Sequence, residues 1–223
     1  MRILIHACPE RLWYVNGFLL PELSRQGIAD AEVWTDGQRR GNLLSCMASF
    51  AARSGDGDTW HLQDDVWPSR DFARRAALLE RERGILCGFV SELGGPDCNL
   101  RGRVYVPDMW YSFPCVRIPD ALARGCAEWF FSGAWRTEAQ PEAHALAADG
   151  RGDDWFFREY AELHHAGERA LNLTPCLAEH VDWLVGGSQV SRWRGCRTPA
   201  VYWDEGERVE ALKAAIRAAR PGK

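Results

Sequence analysis

The 223 residues, 46% hydrophobic and 26% charged, are enough for one sizeable core and too apolar for a disordered or low-complexity chain. A formal charge of -4 supplies no global attraction to nucleic acid or to an anionic membrane. No run of about 18 apolar residues occurs and residues 1–6 are too short for a signal-peptide core, so a cytoplasmic protein with no membrane partner is expected.

Residues 2–7 predict a strand stopped by Pro9. Residues 12–26 predict a helix with apolar positions 12, 15, 19, 20 and 23 on one face, interrupted by Pro21 and ended by Gly27. A strand at 31–35 runs into the turn pair Asp36-Gly37. Asn42 is placed to cap a second helix, which the Gly- and Asp-rich segment 54–58 breaks. A strand at 59–62 then delivers Gln63, Asp64 and Asp65 at its C-terminal end, the edge of an open α/β sheet where ligands bind.

Further on, the pattern predicts a charged helix at 71–84, an apolar strand at 85–90, a loop carrying Gly94-Gly95-Pro96, and strands at 103–106 and 114–118. Asp120 is expected to cap a helix reaching Trp135, and residues 136–152 read as a mobile loop. Asp153-Asp154 open a helix to residue 165, a strand at 171–174 precedes Pro175, and a tail helix at 205–220 has Val209, Leu212, Ile216 and Ala219 on one stripe. The alternation of strands and helices predicts an α/β fold. Its boundaries are residues 1–204, with 205–223 forming a C-terminal helix and tail.

Two compositional biases temper the polar signals. Only Lys213 and Lys223 of the 27 basic residues are lysine, so arginine clusters such as Arg39-Arg40 or Arg192/Arg194/Arg197 carry reduced weight as anion sites. The eight cysteines include no CxxC pair and mostly neighbour apolar residues, which favours buried free thiols over a disulfide framework or a zinc cluster.

Adjacent carboxylates at a strand end repel one another unless a cation lies beside them. A hard divalent ion, Mg2+ or Mn2+, would serve, and would also neutralise a diphosphate. The alternative is a solvated loop with one Asp capping a turn. Residues 1 to about 70, with Asp36-Gly37 after the second strand and Trp60-His61-Leu62-Gln63-Asp64-Asp65-Val66 closing the third, resemble a GT-A glycosyltransferase, whose nucleotide-sugar half leads into a DXD-type motif. Here Gln63 stands where an acidic residue is commoner.

That resemblance implies a GT-A fold, one Rossmann-like domain with a mixed central sheet flanked by helices, with a nucleotide-sugar half (1–70) and an acceptor half (71–204). Asp65 would bind the metal, and Gln63 or Asp64 would face the ribose. Asp36 would accept a hydrogen bond from the base, Cys8 and Glu10 would lie near base and phosphates, and Arg11 would contact phosphate; a surface salt bridge is the alternative for Arg11. His180, after Thr174-Pro175-Cys176-Leu177, would be a further metal ligand, with a core or capping histidine as the alternative. Asp154 or Asp153 would take the acceptor's proton, or else cap its helix. Trp110 and Tyr111 would stack on the acceptor and Arg192 would help hold it.

The whole chain also looks like small GT-A proteins of phages and prophages, some of them proposed to glycosylate hydroxymethylated pyrimidines in DNA. The expected function is therefore metal-dependent transfer from a nucleotide sugar, a UDP-sugar such as UDP-glucose favoured, to 5-hydroxymethylcytosine or a related base in DNA. A saccharide acceptor, a metal-dependent phosphodiesterase or nucleotidyltransferase, and a non-catalytic nucleotide-binding module are the alternatives. No obligate protein partner is implied.

Overall fold

The computed structural model describes residues 1–89, 102–105, 113–150, 152–166, 170–186 and 205–219. A seven-stranded mixed sheet runs in the order β2-β1-β3-β7-β5-β8-β6. Its parallel first half comprises β1 (Arg2–Ala7), β2 (Glu32–Thr35) and β3 (Asp58–Gln63). The second half holds β5 (Ile85–Cys87), β6 (Gly102–Tyr105), β7 (Cys115–Pro119) and β8 (Ala170–Thr174), with β7 antiparallel to both β3 and β5. The chain forms a Rossmann-like α/β domain.

Side chains alternate across the sheet and so divide the core in two. Ile3, Ile5 and Ala7 of β1 and Trp60 and Leu62 of β3 face one layer, with Tyr14, Leu19 and Leu23. These last three belong to a continuous helical stretch: a 3-10 turn (Pro9–Arg11), α1 (Leu12–Tyr14), a π turn (Val15–Leu19) and α2 (Leu20–Arg25). The other face packs under α3 (Asn42–Ala51), α5 (Asp120–Ser132) and α8 (Asp153–His164), burying Leu43, Phe50, Val116, Ile118, Cys126 and Phe156. Because helices cover both faces, the strands read as nearly continuous apolar runs.

Several sequence expectations are corrected. Asn42 is not a cap: Gly41, at φ +95, holds the N-cap position and Asn42 is the first helical residue, its amide turned to Asp153. Asp120 likewise begins α5 without capping it. It is buried, accepts a hydrogen bond from Thr59 Oγ1 at 2.6 Å and pairs with Arg53. The helix expected at 71–84 is α4 (Phe72–Leu78). Arg117 reaches in to bond the carbonyls of Leu79 and Glu82, which a continuing helix would have used itself.

The strand at 85–90 ends at Cys87, with Val90 outside the described residues. The helix from Asp120 stops at Ser132 because Gly133 turns left-handed. The expected loop at 136–152 holds two helices, α6 (Trp135–Glu138) and α7 (Pro141–Ala148). Pro141 suits a first turn, alanine favours the interior, and Ala143 is buried. The segment carrying Gly94-Gly95-Pro96 lies outside the described residues.

Two short strands had no sequence signal. β4 (Val66–Pro68) and β9 (Ala178–His180) form a separate antiparallel pair with Val66 opposite His180. α9 (Asp182–Val185) follows, and α10 (Gly206–Ala219) packs Val209, Leu212 and Ile216 inward while Ala219 is exposed. Arg208 of α10 bonds Glu22 at 2.6 Å and the Pro68 carbonyl at 2.9 Å, fixing the helix against α2 and β4.

Gly88 is where the two halves of the sheet meet the β8–β9 connection. Its N–H donates to Cys115 O, and its carbonyl accepts from Leu177 N. A Cβ there would lie 2.6 Å from Cys115 Sγ and 3.2 Å from Leu177 Cβ. Gly88→Ala is therefore expected to cost about 1–3 kcal/mol by overpacking. Urea unfolding checks this, and a midpoint equal to the parent's would contradict it.

Candidate functional site

A cleft of about 340 Å³ opens at the C-terminal ends of β1, β2 and β3, within the range of small-molecule sites. The parallel register brings the ends of these strands together: His6, Ala7 and Cys8 from β1, Asp36 after β2, and Gln63, Asp64 and Asp65 from β3. Glu10, Arg11 and His180 complete one wall, and Arg39, Gly41, Asn42 and Ser45 the other. Of the residues expected from sequence, Cys8, Glu10, Arg11, Asp36, Gln63, Asp64, Asp65 and His180 thus line one cleft. Trp110, Tyr111 and Arg192 lie outside the described residues.

The two carboxylates are buried, and a cation does lie between them. Arg11 Nη1 is 2.6 Å from Asp64 Oδ1 and 2.5 Å from Asp65 Oδ2, and the Cys8 N–H donates to Asp64 Oδ2 at 2.6 Å. Arg11 is only 5% exposed, so this is a buried ion-pair triad and no surface salt bridge. Burial works against its charge, yet Asp65 and Asp64 outweigh that and hold its pKa above the ordinary value. His180 Nε2 lies 3.2 Å from the same Asp65 oxygen. Burial opposes ionisation of Asp65, but His180 and Arg11 bring its pKa well below the carboxylate range, while burial and the Asp65 charge push Asp64 upward. Burial and then Asp64 push the Cys8 thiol up to about 12, so it remains a thiol.

His180 reaches Asp65 because the β4–β9 pairing sets it opposite Val66, and the Val181 N–H closes on the Asp65 carbonyl at 2.7 Å. The fit of a divalent ion turns on Asp65 Oδ1, which is buried with no hydrogen-bond partner among the described residues. This oxygen offers one hard ligand to Mg2+ or Mn2+, whereas both Asp64 oxygens are held by Arg11 and the Cys8 N–H, and Asp65 Oδ2 by Arg11 and His180.

At the far end, Asp36 pairs with Arg40 at 3.4 Å, and Glu10 with Arg39 at 2.7 Å across exposed surface. Asp154 does not line the cleft, and Asp153 is not itself a lining residue. It lies behind the wall, accepting from Asn42 Nδ2 at 2.6 Å and facing Gln63 Nε2 at 3.5 Å. Neither Asp153 nor Asp154 caps α8 across a turn; Asp154 Oδ1 accepts from the adjacent Trp155 N–H at 2.8 Å. Burial raises the pKa of Asp153 to about 8, helped by Asp154, and burial raises Asp154 to about 6.

The sign for stability follows from Asp153. Between an unfolded carboxyl value of about 3.9 and about 8, the folded chain keeps a proton that the unfolded chain has lost, so stability falls as pH rises. Asp153→Asn should flatten that fall. Urea midpoints at pH 5 and pH 8 measure it, and an unchanged slope would refute the assignment.

Sequence reasoning missed His6, Arg39, Asn42 and Ser45. His6 had a signal, since it precedes the end of β1 by one residue. The other three reach the cleft from the β2–α3 connection and α3, which only the packing of α3 on the sheet determines.

No protein-family model matches the chain, and no curated protein matches it. Among solved structures it is similar to A197 from STIV, at 18% identity, with a TM-score of 0.44, over 81% of this chain and 85% of that one. No helix among the described residues is long and apolar enough to cross a membrane.

Proposed function

We propose that the protein is a glycosyltransferase that uses a nucleotide-sugar donor, a UDP-sugar favoured. The observation that carries this reading is the cleft's order along the parallel strand ends: Asp36 at one end, the Arg11–Asp64–Asp65–His180 group at the other. A base and ribose placed by Asp36, Glu10 and Gln63 would bring the diphosphate to Arg11, whose charge stabilises the leaving diphosphate. Asp65, His180 and Asp64 would hold Mn2+ or Mg2+, which supplies further neutralisation of the diphosphate.

In the transfer, the acceptor hydroxyl oxygen bonds the anomeric carbon, and the bond from that carbon to the diphosphate oxygen breaks. Its electron pair leaves with the nucleoside diphosphate, and attack from the opposite face gives inversion. Asp154 or Asp153 would receive the hydroxyl proton; neither lines the cleft, and Asp154, with a pKa of about 6 and partial exposure, is the one ionised at neutral pH. Asp153, engaged by Asn42 and facing Gln63, is suited to hold the wall on which the donor lies.

For the acceptor we propose a 5-hydroxymethylated pyrimidine of DNA, flipped into the site, with Trp110, Tyr111 and Arg192 as its contacts. A saccharide is the competing acceptor. The test is incubation with Mn2+ and a panel of nucleotide sugars, with and without hydroxymethylcytosine DNA, following nucleoside diphosphate release and acceptor mass. Glucose added to DNA is the expected result. Transfer to sugar would keep the enzyme class and overturn the acceptor. Nucleotide turnover without a sugar donor would indicate a phosphodiesterase or nucleotidyltransferase, and donor binding without any turnover a binding module.

A further inference from the structure

Beneath the cleft floor, the face of the sheet under α3 carries two histidines. Leu4 of β1 stands opposite His61 of β3, and His6 opposite Gln63, so His6 and His61 project from one face as diagonal neighbours. Their ring centroids are 5.6 Å apart. Cys46 comes down from α3 to the same point. One nitrogen of each imidazole and Cys46 Sγ all lie within 4.8 Å of one another.

This group is dry. Cys46 and His61 are fully buried and His6 is 7% exposed. His6 Nε2 shares a hydrogen bond with Ser45 Oγ at 2.8 Å, but both ring nitrogens of His61 are buried with no hydrogen-bond partner among the described residues. An imidazole left so is costly to bury. As a packing element between Phe50 and Phe113, whose centroids are 5.7 and 5.6 Å away, a phenylalanine would fill the place without two orphaned polar atoms. A ligand for one of those nitrogens resolves the cost.

We propose that His6, Cys46 and His61 form a binding site for a zinc ion, with the fourth position towards Ser45 and the cleft. Zinc takes nitrogen and sulfur donors in this combination, and three protein ligands leave one position open. Burial keeps both imidazoles neutral, so each has a lone pair to give without first losing a proton. The Cys46 thiol, held protonated by burial and by Asp153, gives up its proton to solvent as the metal–sulfur bond forms, one proton per ion. Bonds of about 2.0–2.3 Å in a tetrahedron set ligand atoms about 3.5 Å apart, so separations of up to 4.8 Å close by up to about 1.3 Å on binding. The cysteine spacing alone argued against a zinc cluster because two of the three ligands are histidines on separate strands.

The site stands apart from the reading of the cleft as a sugar-nucleotide site and is tested without it. Full-length reduced protein, stripped with chelator, is titrated with Co2+ alone and then Zn2+. The expected result is thiolate-to-metal charge-transfer and tetrahedral ligand-field bands that saturate with one equivalent of cobalt at this site and are displaced by one equivalent of zinc; cobalt held at Asp65 and His180 would add no thiolate band. Cys46→Ser should lose the charge-transfer band, and Cys8→Ser, lacking the most accessible described thiol, should keep it. His61→Phe keeps the aromatic packing and should weaken cobalt binding by more than about 100-fold, beyond the loss of an outer-layer partner. No band in the parent, a band surviving in Cys46→Ser, or unchanged affinity in His61→Phe would each overturn the proposal. Should Cys46→Ser fail to fold, the His61→Phe titration decides alone.

Discussion

Arg11→Met is expected to lose about 3–5 kcal/mol of stability in the presence of a chelator, the cost of breaking a buried ion pair and leaving its partners uncompensated. Asp64 and Asp65 are both nearly inaccessible, and Arg11 Nη1 is within 2.6 Å of each. By contrast, Arg39→Ala, which removes the exposed partner of Glu10, should cost about 0–1 kcal/mol. If Asp65, His180 and Asp64 hold a divalent ion, Mn2+ should restore part of what Arg11→Met loses, about 2.7 kcal/mol at 100 times the dissociation constant. Urea unfolding with chelator and with Mn2+ measures both parts. Equal stability of parent and variant in chelator would refute the triad's energetic role, and indifference to Mn2+ would remove the proposed ion.

Asp154→Asn is expected to reduce sugar transfer by about 10²–10⁴-fold, the usual worth of a general base. That corresponds to about 2.7–5.4 kcal/mol of activation free energy. Donor binding should persist, because Asp154 touches no residue that lines the cleft in any hydrogen bond described for it. The parent's rate should rise with pH through about 6, where Asp154 ionises, and this limb should vanish in the variant. Asp153→Asn should act differently, raising the donor KM more than it lowers kcat, because it loosens Asn42 and Gln63. The reverse pattern would transfer the role of base to Asp153.

Much of the fold was legible because its elements carry local signals. The apolar runs of β1, β3 and β7 and the stripes of α2, α3 and α10 are determined by periodicity, and periodicity reports which face is buried. The errors fall where a long-range partner decided. Arg117 diverts the carbonyls of Leu79 and Glu82, so α4 is short. Asp153 takes the amide of Asn42 and Thr59 the carboxylate of Asp120, so two apparent caps became core contacts. The segment 136–152 looked like a loop because alanine and glutamate show little amphipathic contrast, yet Ala143 packs inward and α7 forms.

The site divides the same way. Asp36, Asp64 and Asp65 were readable as carboxylates at strand ends, and a parallel sheet puts such ends on one edge whatever lies elsewhere. Sequence alone also raised the requirement for a cation beside Asp64 and Asp65, since two adjacent carboxylates at a buried edge repel. Which cation lies there was a tertiary decision. The turn after β1 had to fold Arg11 back over the end of β3, and the β4–β9 pairing had to carry His180 across more than a hundred residues to Asp65. The same holds beneath the cleft, where α3 lays Cys46 on His6 and His61. The length, composition and charge of the chain determined that it would bury one mixed core. Which polar groups were caught inside it, and against which partners, depended on contacts between residues far apart in sequence, and local propensity carries no information about those.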